Sequence, residues 1–384
     1  MWDAWTFDST ATQGRKGWDF FALYQAGHNL LTGVSIYESA DHLLDVIVPQ
    51  RTPYRYLPFP ACTLGLALQI IPPLWAYGIW LLVLEGILLR CTITAWRLGG
   101  AKRGVYLASL WLLFSPYYLE LYMGQFSLPQ AALILLILLA ETNSAKGILS
   151  RSLDVGWAAS LLWKQNTGLY TPLFLRHRRW RTLLIGIGSV FITSMPYFIR
   201  DPDGLVRFAA NLISEPPSHQ LGNLGMRQLI FSLSTALIPD TRWPGHQTLQ
   251  NLWVAIILAL CLYATWRNNA QSLVESLCLW TTCFFLLYHH VWEHHYVMLL
   301  PVYTLLIARH SSPLLWALFG LTALWTPYRL LDLWGLAAID ASMRWRPIQP
   351  HLLDIAYHAS KAVPTLVLWG YLLRIVWRRS GAKT

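Results

Sequence analysis

An all-α polytopic membrane protein is the fold class that this 384-residue sequence predicts. Three observations predict it. Charged residues make up 12% of the chain, about half the ~25% of a soluble domain. Hydrophobic residues make up 55% and gather in long runs, the pattern of membrane-spanning helices. The 21 Trp and 18 Tyr suit aromatic belts at two membrane interfaces. The net charge of +10 lies in short clusters between apolar runs. That is how cytoplasmic loops read, and it does not point to a nucleic-acid partner. The five cysteines, Cys62, Cys91, Cys261, Cys278 and Cys283, lie in apolar segments without a CxxC. A disulfide framework or a cysteine metal site is not expected. The stretch 1–16 has no apolar core and is not a signal peptide.

The elements follow in order. Residues 1–56 read as one non-cytoplasmic loop, with Asp41, His42, Asp45, Arg51 and Arg55. Within it, 17–37 reads as a short amphipathic helix. Phe20, Tyr24, His28 and Leu31 recur every three or four residues, and Gly33 is a plausible stop. Residues 57–384 read as the transmembrane domain. YRYLPFP (54–60) is a Pro-bounded entry, and 59–71 is too short for a comfortable span, so a tilted or re-entrant piece is expected. Crossings are expected at 74–96, 105–121, 126–140, 182–198, 249–266, 273–288, 296–307, 314–325 and 363–376. The basic turns RLGGAKR (97–103) and RHRRWR (176–181) and the tail WRRSGAKT are cytoplasmic markers. Outer loops fall near 200–225 and 328–362, with a short apolar piece at 226–237. The run 155–175 carries Lys164-Gln165-Asn166 at its middle and reads as a broken helical hairpin. Breaks at membrane depth are tolerated around a protein-lined or wet site. The sum is a bundle of roughly nine to ten transmembrane helices with short re-entrant pieces, an outside N-terminus and an inside C-terminus. No fixed-period repeat is visible, which weakens a transporter reading.

This topology gathers polar groups on the outer face: Asp19 with Tyr24 and His28, Tyr56, Gly124-Gln125, Arg227, and the cluster HHVWEHHY (289–296). Lys164 would approach from within the bilayer. Asp19 reads either as a helix-start acid facing the macrodipole or as a base for a hydroxyl substrate. Lys164 either snorkels to an interface or serves function, since a charge inside a span costs a few kcal/mol. The His-rich cluster reads as a metal site, as acid/base or phosphate-binding histidines, or as a polar helix cap. It lacks the HExxH spacing, and no metal is expected. Walker, GxGxxG and GxSxG motifs are absent, so no nucleotide cofactor is expected. A carboxylate in the outer loop with cations at the membrane mouth points to a lipid-phosphate substrate. In glycosyl transfer from such a donor the carboxylate would deprotonate the acceptor hydroxyl, and cations would stabilise the leaving phosphate.

The ordered set WDFFALYQAGHNLLTGVSIYE, YRYLPFP, MGQFSLPQAALILL, LLWKQNTGLYTPLFLRHRRWR and VWEHHYVMLLP resembles glycosyltransferase family 87 over most of residues 17–305. These are polyprenyl-phosphate-mannose-dependent, mannosyltransferase-like membrane proteins of the GT-C fold. The resemblance implies Asp19 as catalytic base and Lys164 as the lysine of the broken helix. It puts the family's Gly-Gln at Gly124 and Gln125 and its membrane-mouth histidine at His294 or His295, with His295 ranked first because His294 follows Glu293. With Arg227, Tyr56 and Tyr24 these complete the expected donor site. The expected partners are a polyprenyl-phosphate sugar, membrane lipid and a hydroxyl acceptor, with the cell membrane as location. Family members carry a transmembrane helix ahead of the first outer loop. This sequence shows none, and a truncated gene model is expected.

Overall fold

The computed structural model describes residues 17–38, 54–142, 148–213, 222–267, 273–310, 312–324, 326 and 351–380. Asp41, His42, Asp45 and Arg51 lie outside the described residues. Every regular element among those described is helical, with one isolated β-bridge between Asn223 and Trp292. Four helices are long and apolar enough to cross a membrane, and four shorter apolar helices accompany them. The residues fall into two compact units.

The first unit takes in Met1–Leu112, Tyr117–Gly168 and Arg179–Ser214. It opens with α1, Trp18–Thr32, which ends on Gly33 in the left-handed region, its N–H bonded to the Asn29 carbonyl. The stop at Gly33 falls where the sequence puts it. The amphipathic reading does not hold: Phe20 through Gly27 are all buried, and the exposed face is confined to the last turn, where Leu31 is 62% exposed. The helix is enclosed because α2, Pro58–Leu68, packs across it. A Cβ on Gly27 would sit 2.1 Å from the Gly65 carbonyl oxygen, so the two backbones meet at van der Waals range. Helix α2 carries a π-turn at Ala61–Gly65. Gln69 Nε2 ties it to α1 through the Tyr24 carbonyl at 2.8 Å.

Next come α3, Pro73–Leu112, broken at Gly100 (φ 60°), then α4, Pro116–Met123, α5, Ser127–Thr142, and α6, Ile148–Trp163. The run expected to cross at 105–121 is two helices, because Pro116 starts a new one after Ser115. Helix α8, Trp180–Arg200, packs on α6. It turns Leu184, Phe191, Ile192 and Ile199 outward, an apolar face suited to lipid. The expected loop at 200–225 contains a further helix, α9, Pro202–Ile213. Asp201 fixes its start: Tyr197 Oη donates to Oδ2 at 2.8 Å and Gly204 N–H to Oδ1 at 2.9 Å. Burial opposes the charge on Asp201, but these bonds and a nearby Ser35 and Arg207 outweigh it and hold the carboxyl below its ordinary range. Of the basic run at 176–181, Arg179 pairs with Glu141 at 3.0 Å and Arg181 with Asp154 at 3.2 Å.

The second unit takes in Leu113–Pro116, Leu169–Arg178 and Glu215–Thr384. Its helices are α7, Thr171–Arg176; α10, Met226–Leu237; α11, Pro244–Arg267; α12, Leu273–Leu287; α13, Leu300–His310; α14, Pro313–Ala323; and α15, His351–Ser380. Helix α15 packs against α10, α12 and α14 and is the centre of this unit. Residues 351–361, expected in an outer loop, are its first three turns; residues 328–350 of that expected loop lie outside the described residues. The crossing expected from 296 starts as a buried 3₁₀ turn, Glu293–Leu299.

Candidate functional site

In the first unit the candidate residues converge on the start of α1 and the start of α5. Asp19 is in the first turn of α1. Gly17 N–H donates to the Tyr122 carbonyl at 2.9 Å, so this turn is anchored to the end of α4 whatever Asp19 does. Phe20 stacks on Trp80 and Phe21 lies against Tyr77, which packs the helix start beside Asp19. Gly124 sits left-handed at φ 62°, with its carbonyl held by Trp80 Nε1 at 3.1 Å. A Cβ there would lie 2.7 Å from Phe20 Cβ and 2.9 Å from the Tyr77 ring. Glycine is needed both for the φ and for this approach. Gly124→Ala is expected to cost about 2–5 kcal/mol, adding left-handed strain to overpacking. Thermal unfolding of the purified protein would show it as a lowered midpoint.

Gln125 is buried; its Oε1 accepts the Phe126 N–H at 3.1 Å and faces Tyr56 Oη at 3.5 Å. The Tyr56 ring lies edge-on to Phe126, 5.2 Å between centroids. Tyr24 is placed differently from its expected donor role. Its hydroxyl donates to the Ile71 carbonyl at 2.9 Å, tying α1 to the end of the α2 segment, and burial raises its pKa. His28 is half-buried one turn further along.

Lys164 follows the last residue of α6, where the helix gives way to a 3₁₀ turn, Gln165–Tyr170. The break at Lys164-Gln165-Asn166 is therefore observed. It is held by Gln130 Nε2, which donates to the Lys164 carbonyl at 3.1 Å and to Asn166 Oδ1 at 2.6 Å. The lysine is 8% exposed and donates from Nζ to Ser127 Oγ at 2.9 Å. Asp19 and Glu120 both lie close enough for their charges to act on it. Sequence reasoning missed Glu120. The available signal was a carboxylate inside the apolar-aromatic run YYLELYMG.

The second unit holds the other candidates. Arg227, in the first turn of α10, reaches Gln250 and Asn251 at 3.4 Å each. Its Nε is buried with no hydrogen-bond partner. His294 and His295 are buried in the Glu293–Leu299 turn, 3% and 6% exposed, with ring centroids 4.4 Å apart. His295 Nδ1 accepts the Trp292 N–H at 3.1 Å. The neutral ring therefore carries its proton on Nε2, as a donor. Glu293 is held elsewhere: Oε1 accepts the Thr326 N–H at 2.9 Å and its hydroxyl at 2.8 Å and faces Lys361 Nζ at 3.6 Å. Burial raises the Glu293 carboxyl, and Lys361 and Thr326 pull it partly back. Lys361 also donates to the Thr322 and Leu324 carbonyls. This buried pair was missed because Lys361 read as a loop residue. Asn223 aligns the His-rich segment, donating to the His289 carbonyl at 2.6 Å and accepting the Val291 N–H at 2.9 Å. Among the described residues no group of three His, Cys, Asp or Glu side chains is arranged to hold a metal ion.

Fold and site together define an all-α polytopic membrane protein with carboxylates and cations gathered at helix ends. The model of glycosyltransferase family 87 matches residues 54–288, and the chain belongs to that family. It is a membrane glycosyltransferase, and its substrates are a sugar donor and an acceptor. The matched stretch includes Tyr56, Gln125, Lys164 and Arg227. No curated protein matches the chain.

Proposed function

We propose that this glycosyltransferase moves a hexose, mannose first among the candidates, from a polyprenyl-phosphate donor to a hydroxyl acceptor at the non-cytoplasmic face. The observation that carries the reading is the grouping of Asp19 with the buried Lys164 at the ends of three helices. Asp19 takes the proton of the acceptor hydroxyl. The oxygen attacks the anomeric carbon, and the lipid phosphate leaves from the opposite side with the bonding electrons. One displacement inverts the anomeric centre. Lys164 offsets the charge growing on the leaving phosphate, as a buried cation does far better than one in water. Gln125 and Tyr56 line the same unit and supply polar contacts to the sugar. Arg227, with an unpartnered Nε, and the His295 Nε2–H have the donor chemistry that phosphate oxygens accept. His294 is the alternative to His295. Each of these roles stands on its own substitution. No cofactor is needed, since the phosphate ester is already an activated leaving group. On this reading the enzyme is of the GT-C class.

The test is transfer of labelled mannose from polyprenyl-phosphate-mannose in membranes containing the full chain. A new glycosidic product, stable to the mild acid that cleaves the phosphate-linked donor, is expected. Movement of the intact donor across the membrane without a new bond would replace this reading with a lipid-linked-sugar carrier.

A further inference from the structure

Glu120 is fully buried, at 0% exposure. Its Oε1 accepts the Leu128 N–H at 2.7 Å, and the Ser127 N–H bonds the same carboxylate, so it caps the first turn of α5. A neutral Asn or Ser would serve that purpose alone. The other oxygen, Oε2, is buried without a hydrogen-bond partner. An ionised carboxylate in such surroundings is strongly unfavourable unless a cation faces it. Lys164 is that cation. Its Nζ bonds the side chain of Ser127, the same residue whose backbone bonds Glu120. Asp19 and Glu120 are the titratable groups whose charges act on Lys164. Lys164 and Asp19 act on Glu120, and the Tyr117 hydroxyl is a further titratable group within reach of its charge. Ser127, Gln130 and Asn166 around them are neutral.

The cluster thus carries two carboxylates and one ammonium. With Asp19 and Lys164 alone, the base and the phosphate-binding cation would close on each other as a neutral pair. Asp19 would then be a poor base, and Lys164 would be occupied. We infer that Glu120 is the standing counter-charge of Lys164 and a positioning residue of the transfer reaction. It keeps the ammonium charged while Asp19 passes from anion to acid. The charges balance through the step: the acceptor proton goes to Asp19, and the cluster goes from net −1 to neutral. The donor phosphate goes from a singly charged diester to a doubly charged monoester. The inference rests on the function proposed above, and its test separates the two.

The first arm needs no substrate. Thermal unfolding of the purified full chain is compared for wild type, Glu120→Gln, Lys164→Met and the double variant. Gln keeps the capping oxygen and removes the charge. Lys164→Met, which leaves the fully buried Glu120 without a cation, is expected to unfold several degrees early, and adding Glu120→Gln to recover most of that loss, because the charge stranded deepest is then gone. Additive losses would overturn the pairing. The second arm is the pH–rate profile of sugar transfer. Glu120→Gln is expected to lower the peak rate about tenfold and to move both limbs to lower pH by about half a unit. Asp19 becomes the weaker base, and Lys164 gives up its proton earlier. A lowered but unshifted profile would reduce Glu120 to a helix cap and overturn the inference. Wild-type protein without transfer would remove the functional reading and leave the first arm to decide the pairing.

Discussion

Asp19→Asn is expected to lower sugar transfer about 10²–10⁴-fold, the contribution of a positioned base, while the thermal midpoint and donor binding stay near wild type. The start of α1 is fixed without the carboxylate. Gly17 N–H bonds the Tyr122 carbonyl, and Phe20 and Phe21 are buried against Trp80 and Tyr77. Asn is close in size to Asp and is tolerated at helix starts. The competing role, an acid that offsets the positive end of the helix, predicts a different outcome. Its loss would cost about 0.3–1 kcal/mol of stability and would leave transfer almost untouched. Labelled transfer and thermal unfolding on the same preparation separate the two. Full retained transfer with an intact fold would sink the base assignment.

The residues that were legible in the sequence broke a local rule in plain view. Lys164-Gln165-Asn166 interrupts an apolar run, and the helix ends there. Gly33 ends α1 by the left-handed cap that its position suggests. Low charge and long apolar runs identify a membrane protein before any helix is placed. What stayed hidden depends on contacts between distant segments. The face of α1 could not be read, because whether its Phe, Tyr and Gln side chains are covered depends on how α2 crosses it at Gly27 and Gly65. Glu120 sits among tyrosines and leucines, a composition that also suits an interfacial belt. Only the fold brings it to Lys164. Lys361 read as the end of an outer loop. Its true context is a polar stripe on α15, where Asp354, His358 and Lys361 recur at helical spacing and are all buried. That periodicity was present in the sequence, but it was polar where core-facing stripes are usually apolar.

Lys361→Met is expected to have the largest effect on stability, about 3–5 kcal/mol, the cost of leaving one member of a buried ion pair alone. The lysine is 1% exposed and serves three acceptors: Glu293 Oε1 and the carbonyls of Thr322 and Leu324. Removing it strands Glu293, whose remaining bonds come from Thr326. The loss should depend on pH with a definite sign. Glu293 already sits above its ordinary pKa because it is buried, and Lys361 opposes that rise. Without the lysine the folded-state pKa rises further. Between the unfolded value of about 4.3 and that raised value, the folded state then binds more protons than the unfolded one. Stability therefore falls as pH rises through the window. The deficit of Lys361→Met relative to wild type should be largest near pH 8 and should shrink toward pH 5, where a protonated Glu293 needs no cation. Adding Glu293→Gln to Lys361→Met should flatten this dependence and restore part of the midpoint. Thermal unfolding across that pH range measures both. A deficit equal at all pH values would mean that Lys361 acts only through the two carbonyls. The consequence for chemistry follows from adjacency in the chain. Glu293 begins the turn that carries His294 and His295, so the folded fraction of Lys361→Met should bind the proposed lipid-phosphate donor more weakly than wild type, even at pH values where its stability has recovered.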